Sequence, residues 1–150
     1  MAFRASSKII ILLIILCITA FSVHAQKEIF PDSDLLDVEE AFAIDHIVIG
    51  PNEAIVRWEI SENYYLYKDK FVFSSKDFFI DQIQFPPAVM KYDEFFGLSE
   101  VYYNVVETTL MLTPKNKAKT KGVLEVSFQG CWGGGVCYPP TKSSLNISGL

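Results

Sequence analysis

From residue 54 to 60 the chain reads AIVRWEI, and the alternation in that stretch restricts the fold more than any other feature. Ala54, Val56, Trp58 and Ile60 fall on one side of an extended strand while Ile55, Arg57 and Glu59 fall on the other, the pattern of a strand with one wet face. The same period, in segments rich in β-branched and aromatic residues, returns at AFAIDHIVI (41–49), YYLYKDKFVF (64–73), FFIDQIQF (78–85), VETTLML (106–112) and GVLEVSFQG (122–130). Turn material separates them: GPNE at 50–53, Ser74-Ser75-Lys76, Pro86-Pro87 and TPKNKAKTKG at 113–122. No segment carries a long helical apolar repeat. The expected architecture is all-β, a two-sheet sandwich of immunoglobulin-like type.

The first 25 residues point to an exported chain. Arg4 and Lys8 form a positive start, residues 9–20 an apolar run of signal length, and VHA at 23–25 a small-residue cleavage site, so the mature domain is expected to span 26–150. A membrane-spanning helix is the competing reading, but the run is short and no stop-transfer pattern follows. Cys17 lies within this leader, preceded by Leu16 rather than the small residue of a lipid-attachment site. The leader holds two of the 13 basic residues and none of the 18 acidic ones, which leaves 11 against 18 and a mature charge of −7. An acidic exported domain without a basic cluster is a poor partner for nucleic acid or for anionic membrane surfaces.

Two segments do not read as plain strands. KYDEFFGLSEVYY (91–103) mixes acidic residues, aromatics and a glycine; it fits a functional loop on a rigid sandwich, or an ordinary connection whose phenylalanines point into the core. In NYYLY (63–67), Tyr65 and Tyr67 share a strand face and Tyr64 takes the other, an arrangement common to packing residues.

FQGCWGGGVCYPP (128–140) holds both cysteines of the mature domain, Cys131 and Cys137. Metal binding is the weakest use of them, because structural zinc needs four ligands and the mature chain adds only His46 on a distant strand. A structural staple is the serious alternative, since exported domains oxidise paired cysteines. Its contribution would be small: a closed loop of about seven residues gives about 2.4 kcal/mol, against about 4 for a bridge spanning some 60 residues between sheets. The third use is a redox-active dithiol. Glycines at 133, 134 and 135 leave room for a partner's backbone and for a change of loop shape between dithiol and disulfide. No Lys, Arg or His lies between Gly122 and Thr141, so any charge acting on the thiols must be brought near by folding or by a partner, and Asp93 and Glu94 would oppose a thiolate if close.

NYYLYK, DEFFGLSEVY and FQGCWGGGVCYPP, in this order and at these separations, resemble the N-terminal periplasmic domain of the bacterial thiol:disulfide interchange protein DsbD. The resemblance covers residues 37–148. It implies an immunoglobulin-like protein-disulfide reductase domain, without cofactor or metal, that relays electrons in the periplasm to thioredoxin-fold partners. These would be a DsbC-like disulfide isomerase and the thiol reductant of cytochrome c maturation. By the same resemblance Cys137, just before Tyr138-Pro139-Pro140, forms the mixed disulfide and Cys131 resolves it. Asp93, Glu94, Phe95, Phe96 and Gly97 would be a cap loop with Phe95 shielding the disulfide, and Tyr65 and Tyr67 would flank the site. The 150 residues hold neither a multi-span membrane domain nor a thioredoxin-like domain. The expectation is a stand-alone version served by a separate membrane donor of DsbD type. The reading from another class is a non-catalytic immunoglobulin-like binding module with a structural disulfide.

Overall fold

The period-two segments form the strands expected of them in the computed structural model, which describes residues 35–150 except 117 and 119. The expected leader and the start of the domain at Gln26 lie outside the described residues. After one short helical turn, α1 (Val38–Ala41), come β1 (Phe42–Gly50) and β2 (Glu53–Ile60), joined by the turn at Pro51-Asn52. β2 is the central inward strand: Ala54, Val56, Trp58 and Ile60 are buried, as their alternation requires. It pairs with β8 (Val105–Pro114), which pairs in turn with β5 (Phe78–Gln84), giving a sheet ordered β1-β2-β8-β5.

The opposing layer has two parts. One is a three-stranded sheet of β12 (Thr141–Ser148), β9 (Lys121–Phe128) and β4 (Val72–Ser74). The other is a five-stranded sheet ordered β11-β10-β3-β7-β6, from Val136–Cys137, Gly130–Trp132, Tyr64–Tyr67, Gly97–Tyr102 and Val89–Asp93. β9 runs through Gln129 directly into β10, so the layer is continuous along the chain. The Trp58 ring bridges the layers, meeting Phe71 at 4.8 Å, Phe128 at 5.9 Å and Phe73 at 6.2 Å, all edge-on. The fold is an immunoglobulin-like β-sandwich.

Three departures from the sequence reading have physical reasons. The expected strand 64–73 is broken by a 3₁₀ turn at Lys68–Lys70 into β3 and β4, which belong to different sheets. Three consecutive charged residues there cannot keep an inward face, and they pair outside instead, Lys68 with Glu100 at 2.8 Å and Lys70 with Asp69 at 2.7 Å. The segment 91–103 is largely a hairpin, β6–β7, rather than a free loop. β12 lay in TKSSLNIS, where only Leu145 and Ile147 are apolar and buried, too few to announce a strand.

Candidate active site

β3 builds the site, because its four buried residues serve two different cores. Tyr64 and Leu66 face the sandwich interior, while Tyr65 and Tyr67 face the other way and join Val101 and Cys131 in a small separate cluster on which Cys137 packs. The alternation of side chains along a strand makes this division. β10 sets Cys131 opposite Tyr65, and β11 sets Cys137 opposite Cys131. The two sulfurs are joined in a disulfide between directly paired residues whose Cα atoms are 4.0 Å apart. Cys131 is sealed, at 0% exposure, whereas Cys137 is partly exposed on a sheet edge.

The glycines between the cysteines meet local demands besides leaving the tip bare. The Gly135 N–H donates to the Trp132 carbonyl at 3.1 Å, and Gly135 has φ +91°, a conformation that an L side chain strains. The Gly133 N–H donates to the Asn63 carbonyl at 2.7 Å. At Gly134 a Cβ would lie 2.1 Å from the Trp132 ring, so the indole occupies the space a side chain would need.

The second hairpin approaches from the opposite edge of the same sheet. Asp93 ends β6, and its Oδ1 accepts the N–H groups of Phe95 at 2.8 Å and Phe96 at 3.1 Å, which turns the chain back toward β7 at Gly97, φ +70°. The other carboxylate oxygen accepts a short hydrogen bond from the Tyr65 hydroxyl. Asp93 is 3% exposed. Burial pushes its carboxyl up, but the bonds from Tyr65, Tyr67 and the two amides outweigh that, and the group stays below the ordinary carboxylate range. A buried, ionised carboxylate therefore sits within the site. Burial first, and then the bond to Asp93, push the Tyr65 phenol up to about 12. Burial raises Tyr67 as well, so both phenols are neutral donors at physiological pH.

The Tyr67 hydroxyl lies 3.2 Å from Cys131 Sγ and 4.0 Å from Cys137 Sγ. Its ring meets Tyr65 at 5.4 Å and Phe96 at 4.9 Å, both edge-on, and Tyr65 meets Tyr103 at 5.9 Å. Cys131, Cys137, Tyr65, Tyr67, Asp93 and Phe96 are thus in one connected group. Phe95 is half exposed, at 52%, and is not a core residue. With Tyr65, Asp93, Glu94 and the three glycines it lines an open depression of about 440 Å³ between the two hairpin tips.

Folding also brings in groups that sequence reasoning missed. Lys91 Nζ lies 4.8 Å over the Tyr65 ring, and Lys70 Nζ 4.6 Å over Phe96. Lys91 stands two residues before Asp93 and so shares its face of β6, a parity signal that only a strand at 89–93 makes legible. Lys70 had none, because the 3₁₀ turn that aims it was not foreseen. His46 takes no part in this group; its Nε2 lies 3.2 Å from the Asn146 carbonyl, between β1 and β12. The arrangement offers one fully buried cysteine with a hydroxyl beside its sulfur and one partly exposed cysteine at a sheet edge, which suits attack by or on Cys137 followed by closure from Cys131.

Comparison with known proteins agrees with that chemistry. Residues 32–148 match the family described as thiol:disulfide interchange protein DsbD, N-terminal. The chain is 33% identical over 139 residues to the thiol:disulfide interchange protein DsbD of Tatumella citrea, covering 91% of this chain and 23% of that protein. It is 37% identical over 117 residues to DsbD 2 of Pseudomonas aeruginosa, covering 78% and 19%. The chain therefore spans about a fifth to a quarter of the length of these relatives. Among solved structures, the Neisseria meningitidis DsbD N-terminal domain in the reduced form is similar at TM-score 0.68 and 32% identity, over 77% of this chain and 91% of that one. The complex between the DsbD N-terminal and PilB N-terminal domains of the same organism is similar at TM-score 0.59 and 30% identity, over 78% and 90%.

Proposed function

The chain belongs to the family of DsbD N-terminal domains, and from that premise we propose that it is a periplasmic thiol–disulfide relay that reduces disulfides of partner proteins through Cys131 and Cys137. One observation carries the assignment of roles. Cys137 is partly exposed on a two-residue edge strand, while Cys131 lies fully buried behind it.

In the reducing direction, the Cys137 thiolate attacks one sulfur of the partner's disulfide and forms a mixed disulfide, and the partner's displaced sulfur takes a proton. The Cys131 thiolate then attacks Cys137 Sγ, closes the Cys131–Cys137 bond and releases the partner as a dithiol. Two electrons and two protons leave the domain in each cycle. A membrane-bound donor of DsbD type restores them by the reverse sequence. The Tyr67 hydroxyl lies beside Cys131 Sγ, where it can donate to that sulfur when it carries charge, and the ionised Asp93 carboxylate in the same connected group opposes a thiolate there.

Thioredoxin-fold proteins are the proposed partners, a DsbC-like isomerase and the thiol reductant of cytochrome c maturation among them. That the similar Neisseria domain was solved in complex with a PilB domain supports a protein substrate, and its reduced form supports a bond that opens without unfolding. The leader at residues 1–25, with its export signature, supports the compartment.

The rival is a binding module with a structural bridge, and the reduction potential separates the two. Equilibration with glutathione should place the Cys131–Cys137 couple between about −270 and −120 mV; a value below about −300 mV would assign the bond to structure. Cys131→Ser should accumulate mixed disulfides with thioredoxin-fold partners and Cys137→Ser few. Equal trapping by both variants, or by neither, would overturn the assigned roles.

A further inference from the structure

A strand of two residues is a weak hold for a reactive cysteine. β11 is only Val136–Cys137, it lies at a sheet edge against β10, and beyond Tyr138 the next two residues, Pro139 and Pro140, bring no N–H groups to extend the ladder. While the disulfide is closed, the S–S bond keeps Cys137 beside Cys131. Once it opens, the register of Cys137 depends on the glycine turn on one side and on Tyr138 on the other.

Tyr138 is anchored at both backbone groups and at both ends of its side chain. Its N–H donates to the Gly130 carbonyl at 3.0 Å, its carbonyl accepts from Gln129 Nε2 at 3.0 Å, and its ring stands edge-on to Phe42 at 5.5 Å. Its hydroxyl reaches across the chain and donates a short hydrogen bond to the carbonyl of Leu36, 102 residues away. The N–H of that same Leu36 donates to the Tyr64 hydroxyl at 2.8 Å. Tyr64 is the residue of β3 paired with Trp132, and its ring also meets Phe42, at 5.8 Å. One peptide segment ahead of α1 is thereby gripped on both sides by two tyrosines. One of these adjoins Cys137 and the other pairs with the residue after Cys131.

We propose that Tyr138 and Tyr64, closed on the Leu36 backbone, are positioning residues that hold Cys137 in register with Cys131 in the dithiol state. The inference rests on the relay reading of the disulfide, because only a bond that opens and closes needs its partner held while open. The readout is the effective concentration of the two thiols. In the exchange of the disulfide with two glutathione thiols to give the protein dithiol and glutathione disulfide, a freer Cys137 favours the dithiol. Burial raises the Tyr138 phenol, so it is a neutral donor throughout the range where this exchange is measured.

The test is Tyr138→Phe in the full chain, which removes the hydroxyl and keeps the ring on Phe42. Equilibration in glutathione and dithiothreitol buffers should show disulfide formation about five-fold less favourable, the worth of one hydrogen bond, or a potential about 20 mV less negative. Tyr64→Phe should move it in the same direction. Tyr102→Phe, which removes a comparable hydroxyl bond to the Pro86 carbonyl at 2.9 Å, should leave it unchanged. A wild-type equilibrium constant in both Tyr138→Phe and Tyr64→Phe, or an equal shift in Tyr102→Phe, overturns the proposal. A wild-type potential below about −300 mV instead overturns the relay reading, and the dithiothreitol arm still measures whether the clasp acts.

Discussion

Phe95 and Phe96 differ in what they touch, though they are neighbours with nearly equal exposure. Phe96 lies edge-on to Tyr67, whose hydroxyl reaches both sulfurs, and carries the Lys70 ammonium over its ring. Phe95 faces the depression bounded by the glycine tip. If Phe95 is the shield, Phe95→Ala should leave stability within about 1 kcal/mol, because a half-exposed ring has little burial to lose, and the disulfide should react several-fold faster with dithiothreitol. Stopped-flow reduction followed by tyrosine fluorescence reads the rate. An unchanged rate for Phe95→Ala beside an accelerated one for Phe96→Ala would move the shield by one residue.

At the scale of elements, two hairpins from opposite edges of one sheet converge on Tyr65, and each turns on a glycine with positive φ, Gly97 and Gly135. A Cβ at either glycine would meet nothing within 4 Å, so alanine there costs conformation rather than space. Gly135→Ala should destabilise the oxidised domain by about 1–2 kcal/mol in urea unfolding. The Gly135 and Tyr138 amides should exchange faster while those of β2 and β8 keep their protection. A variant with wild-type stability would mean that the turn can adopt a form without positive φ. Gly134→Ala meets the Trp132 indole instead of a forbidden backbone angle, and differs in kind.

For the whole molecule, the disulfide closes only a local loop, whereas the main core runs through β2, β8, β9 and β12 around Trp58. Reduction should therefore cost about 2–3 kcal/mol, a fraction of the roughly 5–15 kcal/mol of an ordinary domain, and leave the sandwich folded. Urea unfolding of the oxidised and reduced forms, with far-UV circular dichroism, measures this directly. Unfolding on reduction at room temperature would return the bond to a structural role.

The alternation AIVRWEI was enough to place Trp58 and its neighbours inside, because burial on one face of a strand is a local consequence of period two. Local parity likewise put Tyr65 and Tyr67 on one side and Tyr64 on the other, and motif resemblance identified Cys131 and Cys137 with the segment 93–97. Tertiary structure alone decided that Tyr67 rather than Tyr65 meets these sulfurs, and which further groups join them. Lys70 reaches Phe96 only because three charges break a strand into two sheets, and Asp93 is buried only because β6–β7 folds its tip onto β3. Leu36 meets Tyr64 and Tyr138 through contacts 28 and 102 residues apart, a closeness set by packing around Phe42 that no local pattern encodes.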